Sequence, residues 1–142
     1  MAGSTAKIIF MAKDSMMTMH TELTRYKVKK GKEDKAREWM RFLNENIGET
    51  LLTLKNERMY VEDIFSEVID GQIYLYWFSY QGDEGQAVEE SESWIDKKHL
   101  EYWDECLVCE PDDHGEDLSL EVSMVEPSLS IWIEEELNPS QE

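Results

Sequence analysis

Apolar residues recur along this chain with two different periods, and the switches between those periods mark out the elements. From Glu22 the run Leu-Thr-Arg-Tyr-Lys-Val-Lys alternates, placing Thr24, Tyr26 and Val28 on one side and Leu23, Arg25 and Lys27 on the other, the period of a β-strand. Lys30-Gly31 interrupts it, and Glu33 and Asp34 supply the acidic first turn that suits a helix N-terminus. Ala36, Trp39, Met40, Leu43, Ile47, Leu51 and Leu54 then fall three and four apart, which predicts one amphipathic helix of about 20 residues.

Tyr60 to Ile69 and Gln72 to Tyr80 are β-rich runs joined by Asp70-Gly71, a two-residue turn whose left-handed backbone matches the twist of a tight hairpin. Such a turn sets the register: Ile69 opposite Gln72, Val68 opposite Ile73, Ser66 opposite Leu75 and Ile64 opposite Trp77. One face then carries Ile64, Val68, Ile73, Leu75 and Trp77, and the other Asp63, Phe65, Glu67, Tyr74, Tyr76, Phe78 and Tyr80. Gly82 to Gly85 forms a loop, and a second helix is expected from about Glu89 to Leu107, with Ile95, His99, Tyr102, Trp103 and Cys106 facing inward. Pro111 to Gly115 ends it, and the alternation of Leu118, Leu120, Val122 and Met124 predicts a fourth strand.

The order is βαββαβ, an α+β domain over residues 22–126 with an antiparallel four-stranded sheet and two helices on one face. Residues 1–21 are expected to be an arm or leader, with a short strand at Ile8 to Met11. Residues 127–142 are expected to be a C-terminal arm, with a short edge strand at Ser128 to Ile133, and an acidic tail. The length of 142 residues and 41% hydrophobic content suffice for one buried core. No apolar run is long enough for a membrane span, and two cysteines make no disulfide framework, so the expected location is cytoplasmic.

Charge changes the picture by its position. Residues 1–61 hold 12 Lys and Arg against 8 Asp and Glu, whereas residues 62–142 hold only Lys97 and Lys98 against 24 acids, for a net charge of -18. That field disfavours nucleic acid and anionic membranes and leaves a basic protein partner, or mimicry of nucleic acid, as the electrostatic option.

A sheet with helices on one side leaves the other bare, and here that side is rich in Tyr and Phe, so a second copy packing against it is expected to make a homodimer. The run Tyr26-Lys-Val-Lys-Lys-Gly-Lys-Glu, the helix with Trp39 and Leu43, the strand Ile73-Tyr-Leu-Tyr-Trp-Phe and the stretch Ile95-Asp-Lys-Lys-His99-Leu-Glu-Tyr-Trp103 together resemble a bacterial domain-of-unknown-function family. That family is similar in plan to the ferredoxin-like dimeric α/β-barrel proteins, which include antibiotic-biosynthesis monooxygenases. The resemblance spans roughly Glu22 to Leu107 and implies the fold and the dimer. It implies no one chemistry, because the superfamily holds cofactor-free oxygenases, isomerases, haem-degrading enzymes and proteins with no known activity.

His99 on the inward stripe is the candidate base or ligand, set against the more ordinary role of a hydrogen-bonded core histidine among Tyr102, Trp103 and Trp77. Asp63 and Glu67 lie about 13 Å apart along one strand, too far for a carboxylate dyad, and with Arg25, Lys27, Tyr74 and Tyr76 they are expected to form interface ion pairs or line a polar pocket. Cys106-Leu-Val-Cys109 has CxxC spacing, but the chain holds too few further Cys and His for a structural zinc, and four neighbouring acids disfavour the thiolates; inert thiols are expected. No Gly-rich phosphate loop, GxSxG elbow or HExxH helix occurs, so neither cofactor nor metal is expected. The expected function is binding of a small organic molecule in the helix-sheet cleft or barrel cavity, by Arg25, Asp63, Glu67, Tyr74, Tyr76, Trp77, His99, Tyr102 and Trp103. The alternative is a non-catalytic acidic protein that binds a basic partner.

Overall fold

A computed structural model gives the fold and describes residues 19–83 and 85–137; the strand expected at Ile8 to Met11 lies outside them. The order is β1 (Met19–Lys27), α1 (Glu33–Glu45), α2 (Ile47–Leu54), β2 (Met59–Ile69), β3 (Gln72–Gly82), α3 (Trp94–Cys106), β4 (Glu116–Asp117) and α4 (Pro127–Trp132). A 3-10 turn at Val88–Glu90 precedes α3 and a π-helical turn at Ile133–Leu137 follows α4. The four strands form one antiparallel sheet in the order β2-β3-β1-β4. Among the described residues no helix is long and apolar enough to cross a membrane.

The hairpin has the register that its turn dictates, with Ile69 opposite Gln72, Val68 opposite Ile73, Ser66 opposite Leu75 and Ile64 opposite Trp77. Asp70 at φ 49° and Gly71 at φ 78° adopt the left-handed pair that this turn requires. β1 pairs with β3 so that Tyr26 faces Leu75 and Thr24 faces Trp77 on the helix side, while Arg25 faces Tyr76 and Leu23 faces Phe78 on the other. The core lies under the helices: Val28, Ala36, Trp39, Ile73, Leu75, Tyr102, Cys106 and Leu107 form one buried cluster.

Four elements depart from the periodicity. The single helix expected through Leu54 breaks at Asn46, whose side-chain amide and backbone N–H both donate to the Phe42 carbonyl, at 2.8 and 3.1 Å. An asparagine amide competing for a helix carbonyl ends the turn, and the apolar stripe does not report this. α2 therefore buries none of its residues, and Ile47, Leu51 and Leu52 stay exposed. The second helix starts at Trp94 rather than Glu89 because the Ser91 hydroxyl accepts from Ser93 N–H at 3.1 Å, holding the chain in a local turn.

The fourth strand shrinks to two residues. Asp117 and Glu116 pair with Thr24 and Arg25, Leu118 N–H donates to the Leu23 carbonyl, and no further pairing follows among the described residues. Leu118, Leu120, Val122 and Met124 alternate but are exposed, because nothing described covers either side of that segment. The expected edge strand at Ser128 to Ile133 is helical instead. The Glu126 carboxylate accepts from Ser128 N–H at 2.9 Å and Pro127 occupies the first turn, two features that start a helix. Ile133 is buried and the Tyr80 hydroxyl bonds the Ser130 hydroxyl at 2.7 Å, so this C-terminal helix caps one end of the open sheet face.

Candidate functional site

The break at Asn46 builds the site. Because α2 stands away from the sheet, a cleft of about 1330 Å³ opens between α1–α2, α3 and the helix-facing side of β2–β3. Leu43, Ile47, Leu51 and Leu54 form one wall, Ile64 and Trp77 the sheet side, and Ile95, Asp96, His99 and Trp103 the opposite wall. The aliphatic wall and the indole faces give this volume an apolar body of the kind that holds organic ligands.

At the inner end lies a packed group of rings. Trp39 is fully buried and donates its indole N–H to His99 Nδ1 at 3.0 Å, and Trp77 lies 5.5 Å from Trp39 and 5.0 Å from Trp103, centroid to centroid. Accepting at Nδ1 leaves Nε2 to carry the proton of the neutral ring. Burial holds the imidazole pKa down at about 4, against the opposing pull of Asp96, so the ring is neutral near pH 7. A neutral imidazole whose lone pair is already occupied is a poor general base; it can donate a hydrogen bond from Nε2.

Acids from several elements line the cleft, Asp63, Asp83, Glu89 and Asp104 among them, and three are set apart by burial or by their pKa: Glu57 from the turn before β2, Glu62 from β2 and Asp96 from the first turn of α3. Glu62 accepts from the Trp77 indole N–H at 2.5 Å, and burial raises its pKa, with the Asp96 charge adding to the effect. Glu57 is raised to about 7, first by burial and then by Asp96 and Glu62. No ion pair among the described residues reaches any of the three. The mouth is narrow on one side, since a Cβ on Gly85 would lie 2.0 Å from the Glu57 carbonyl oxygen, and only glycine permits that approach.

The residues expected from the sequence divide between two places. Trp77, His99 and Trp103 line the cleft, and the Asp63 segment of β2 touches its rim. Tyr102 points elsewhere: its hydroxyl donates to Glu38 at 2.9 Å, and Lys35 and Lys98 lie over its ring. Arg25, Glu67, Tyr74 and Tyr76 belong to the open face, where Arg25 pairs with Glu116 at 2.6 Å, its guanidinium lies over the Tyr74 ring and the Tyr76 hydroxyl donates to Glu67. The structure therefore does not bring all nine residues together: Asp63, Trp77, His99 and Trp103 meet at the cleft, and the other five lie outside it.

The carboxylate trio was not anticipated from the pattern. Glu62 carried a signal, because the hairpin register puts it on the same face as Ile64 and Trp77, where a charge is out of place. Asp96 resembles any acidic residue in a helix first turn, and Glu57 gives no sign in a turn of polar residues. Cys106 is buried at the end of α3 and Cys109 is exposed, and they are not bonded to each other.

No curated protein matches the sequence. The family that matches is DUF6176, described as a family of unknown function, over residues 19–130, which takes in β1 through most of α4 and every residue of the cleft. The chain belongs to this family of unknown function, DUF6176.

Proposed function

We propose that this protein binds a small organic molecule in the cleft between its helices and sheet. The observation that carries the reading is the cleft itself, about 1330 Å³ with Trp77, Trp103 and His99 at its inner end and an aliphatic wall on α1–α2. A fold optimised only for stability would close such a volume, since voids forfeit packing contacts. Native mass spectrometry of the purified protein tests it, with ligand-observed NMR against a fragment set as the second measurement. Binding that perturbs the Trp77 and Trp103 indole signals is expected; no retained mass and no fragment that moves either signal overturns the reading.

The strand order, read as β4-β1-β3-β2, supports a ferredoxin-like plan for the βαββαβ chain. A homodimer accompanies this reading. Phe65 is exposed on the open face, and the unpaired segment after β4 exposes Leu118, Leu120, Val122 and Met124 in alternation. Apolar alternation without a cover suits a second copy of the same chain as partner. Light scattering at micromolar concentration is expected to give twice the chain mass, and Leu120→Ser with Val122→Ser is expected to return it to the monomer. A monomeric parent protein would remove the dimer and leave the cleft reading standing.

A further inference from the structure

Glu57, Glu62 and Asp96 place negative charge beside the indole and aliphatic walls of the cleft. Asp96 is 5% exposed, the Thr53 hydroxyl reaches its Oδ1 only at 3.5 Å, and its Oδ2, buried at the cleft wall, has no hydrogen-bond partner. Glu62 receives one indole N–H, and no Lys or Arg among the described residues pairs with Glu57, Glu62 or Asp96. A buried carboxylate without a counter-charge either takes up a proton or takes up a cation. Glu57 and Glu62 lean towards the proton, because burial and their negative neighbours raise both. Those neighbours would stabilise a positive charge placed among them.

The kind of cation follows from the walls. Among the described residues no three His, Cys, Asp or Glu side chains are grouped closely enough to hold a metal ion. The remaining lining is mixed, but Trp77, Trp103 and His99 lie on one side and Leu43, Ile47, Leu51 and Leu54 on another, which suits a charged group on an apolar body. We propose that the inner end of the cleft binds an organic ammonium ion, with its N–H donors on Asp96 and Glu62, its charge beside the Trp77 ring and its hydrocarbon body along Leu43, Ile47 and Leu51. The proposal rests on the reading of the cleft as a ligand site. Asp96, whose covered Oδ2 lacks a partner and meets the ligand once the side chain turns towards the cleft, and the second oxygen of Glu62 supply the acceptors a primary ammonium needs, and the surplus of negative charge on the chain favours arrival of a cation.

The test uses three probes of equal chain length at pH 8: octylamine, 1-octanol and octanoate, titrated against tryptophan fluorescence of the full chain. Octylamine is expected to bind about tenfold more tightly than octanol, with octanoate weakest. Glu62→Gln keeps an oxygen for the Trp77 N–H, and with Asp96→Asn it is expected to remove most of the amine preference while octanol affinity holds. If Asp96→Asn does not fold, Glu62→Gln carries the comparison. Octanol binding as tightly as octylamine, or an amine preference that survives the folded variants, overturns the ammonium site and leaves a cavity. Failure of all three probes to bind overturns the cavity with it.

Discussion

The two faces of one sheet treat charge in opposite ways. On the open face, where water makes an unpaired charge cheap, both cations of β1 are matched: Arg25 with Glu116, and Lys27 with Asp113 at 3.1 Å. On the helix-facing side, where an unpaired charge is costly, Glu57, Glu62 and Asp96 line one cleft without a basic partner among the described residues. Stability alone would favour the reverse. The open face thus carries its cations in pairs within reach of water, whereas the cleft keeps a feature that folding does not require.

The strongest way to break that contrast is at Trp39, which is fully buried and holds His99 through its indole N–H. Trp39→Ala is expected to cost about 3–5 kcal/mol by urea unfolding. Phe65→Ala, on the exposed face, is expected to change the same midpoint by about 0.5 kcal/mol or less at a concentration where the chain is monomeric. Equal losses would mean that the two faces are equally buried in solution and would sink the contrast. Gly85→Ala comes next, at about 1–3 kcal/mol, because its Cβ would lie 2.0 Å from the Glu57 carbonyl oxygen, a backbone atom that cannot rotate away. An Ala variant with unchanged stability would show that the loop does not close on this turn.

Much of this architecture was legible in the sequence because it rests on local chemistry. Asp70-Gly71 admits one hairpin register, and that register sorts the side chains of β2 and β3 from the turn as far as Val61 and Tyr80, where a bulge between Met59 and Val61 ends it. The cleft was less legible. It depends on one hydrogen-bonding choice at Asn46, invisible to a stripe that runs smoothly from Ala36 to Leu54, and on three acids brought together from different elements. The alternation after Asp117 is a true apolar pattern that does not join the sheet, because period 2 reports that a segment has a burying face and not which surface buries it.

A smaller effect sharpens the contrast through pH. The Glu57 carboxyl has a folded pKa of about 7 against an ordinary 4.5, so the folded state holds its proton more tightly than the unfolded state does. Its favourable contribution is complete below about pH 4.5 and is lost as pH rises through about 7. Glu57→Gln is therefore expected to be more stable than the parent by about 1–2 kcal/mol at pH 8, and the gain is expected to vanish near pH 4.5. His99 moves the parent the other way, because its folded pKa of about 4 lies below 6.5, and its contribution is lost as pH falls through that window. The difference between parent and Glu57→Gln cancels the His99 contribution, which both proteins share. A gain independent of pH would mean that the Glu57 carboxylate is paired or hydrated in solution.

The smallest effect is expected at Arg25, and it completes the comparison from the other face. The Arg25 guanidinium meets Glu116 at 2.6 Å, but water reaches both groups and salt screens them, so the pair gains little over separate solvated charges. Arg25→Ala is expected to leave the urea midpoint of the monomer within experimental error at low and at high ionic strength. A clear loss that disappears in salt would show that pairing on the open face stabilises the fold as much as the cleft acids burden it. The asymmetry between the faces would then be one of geometry alone, and the unpaired carboxylates would lose their claim to a role beyond folding.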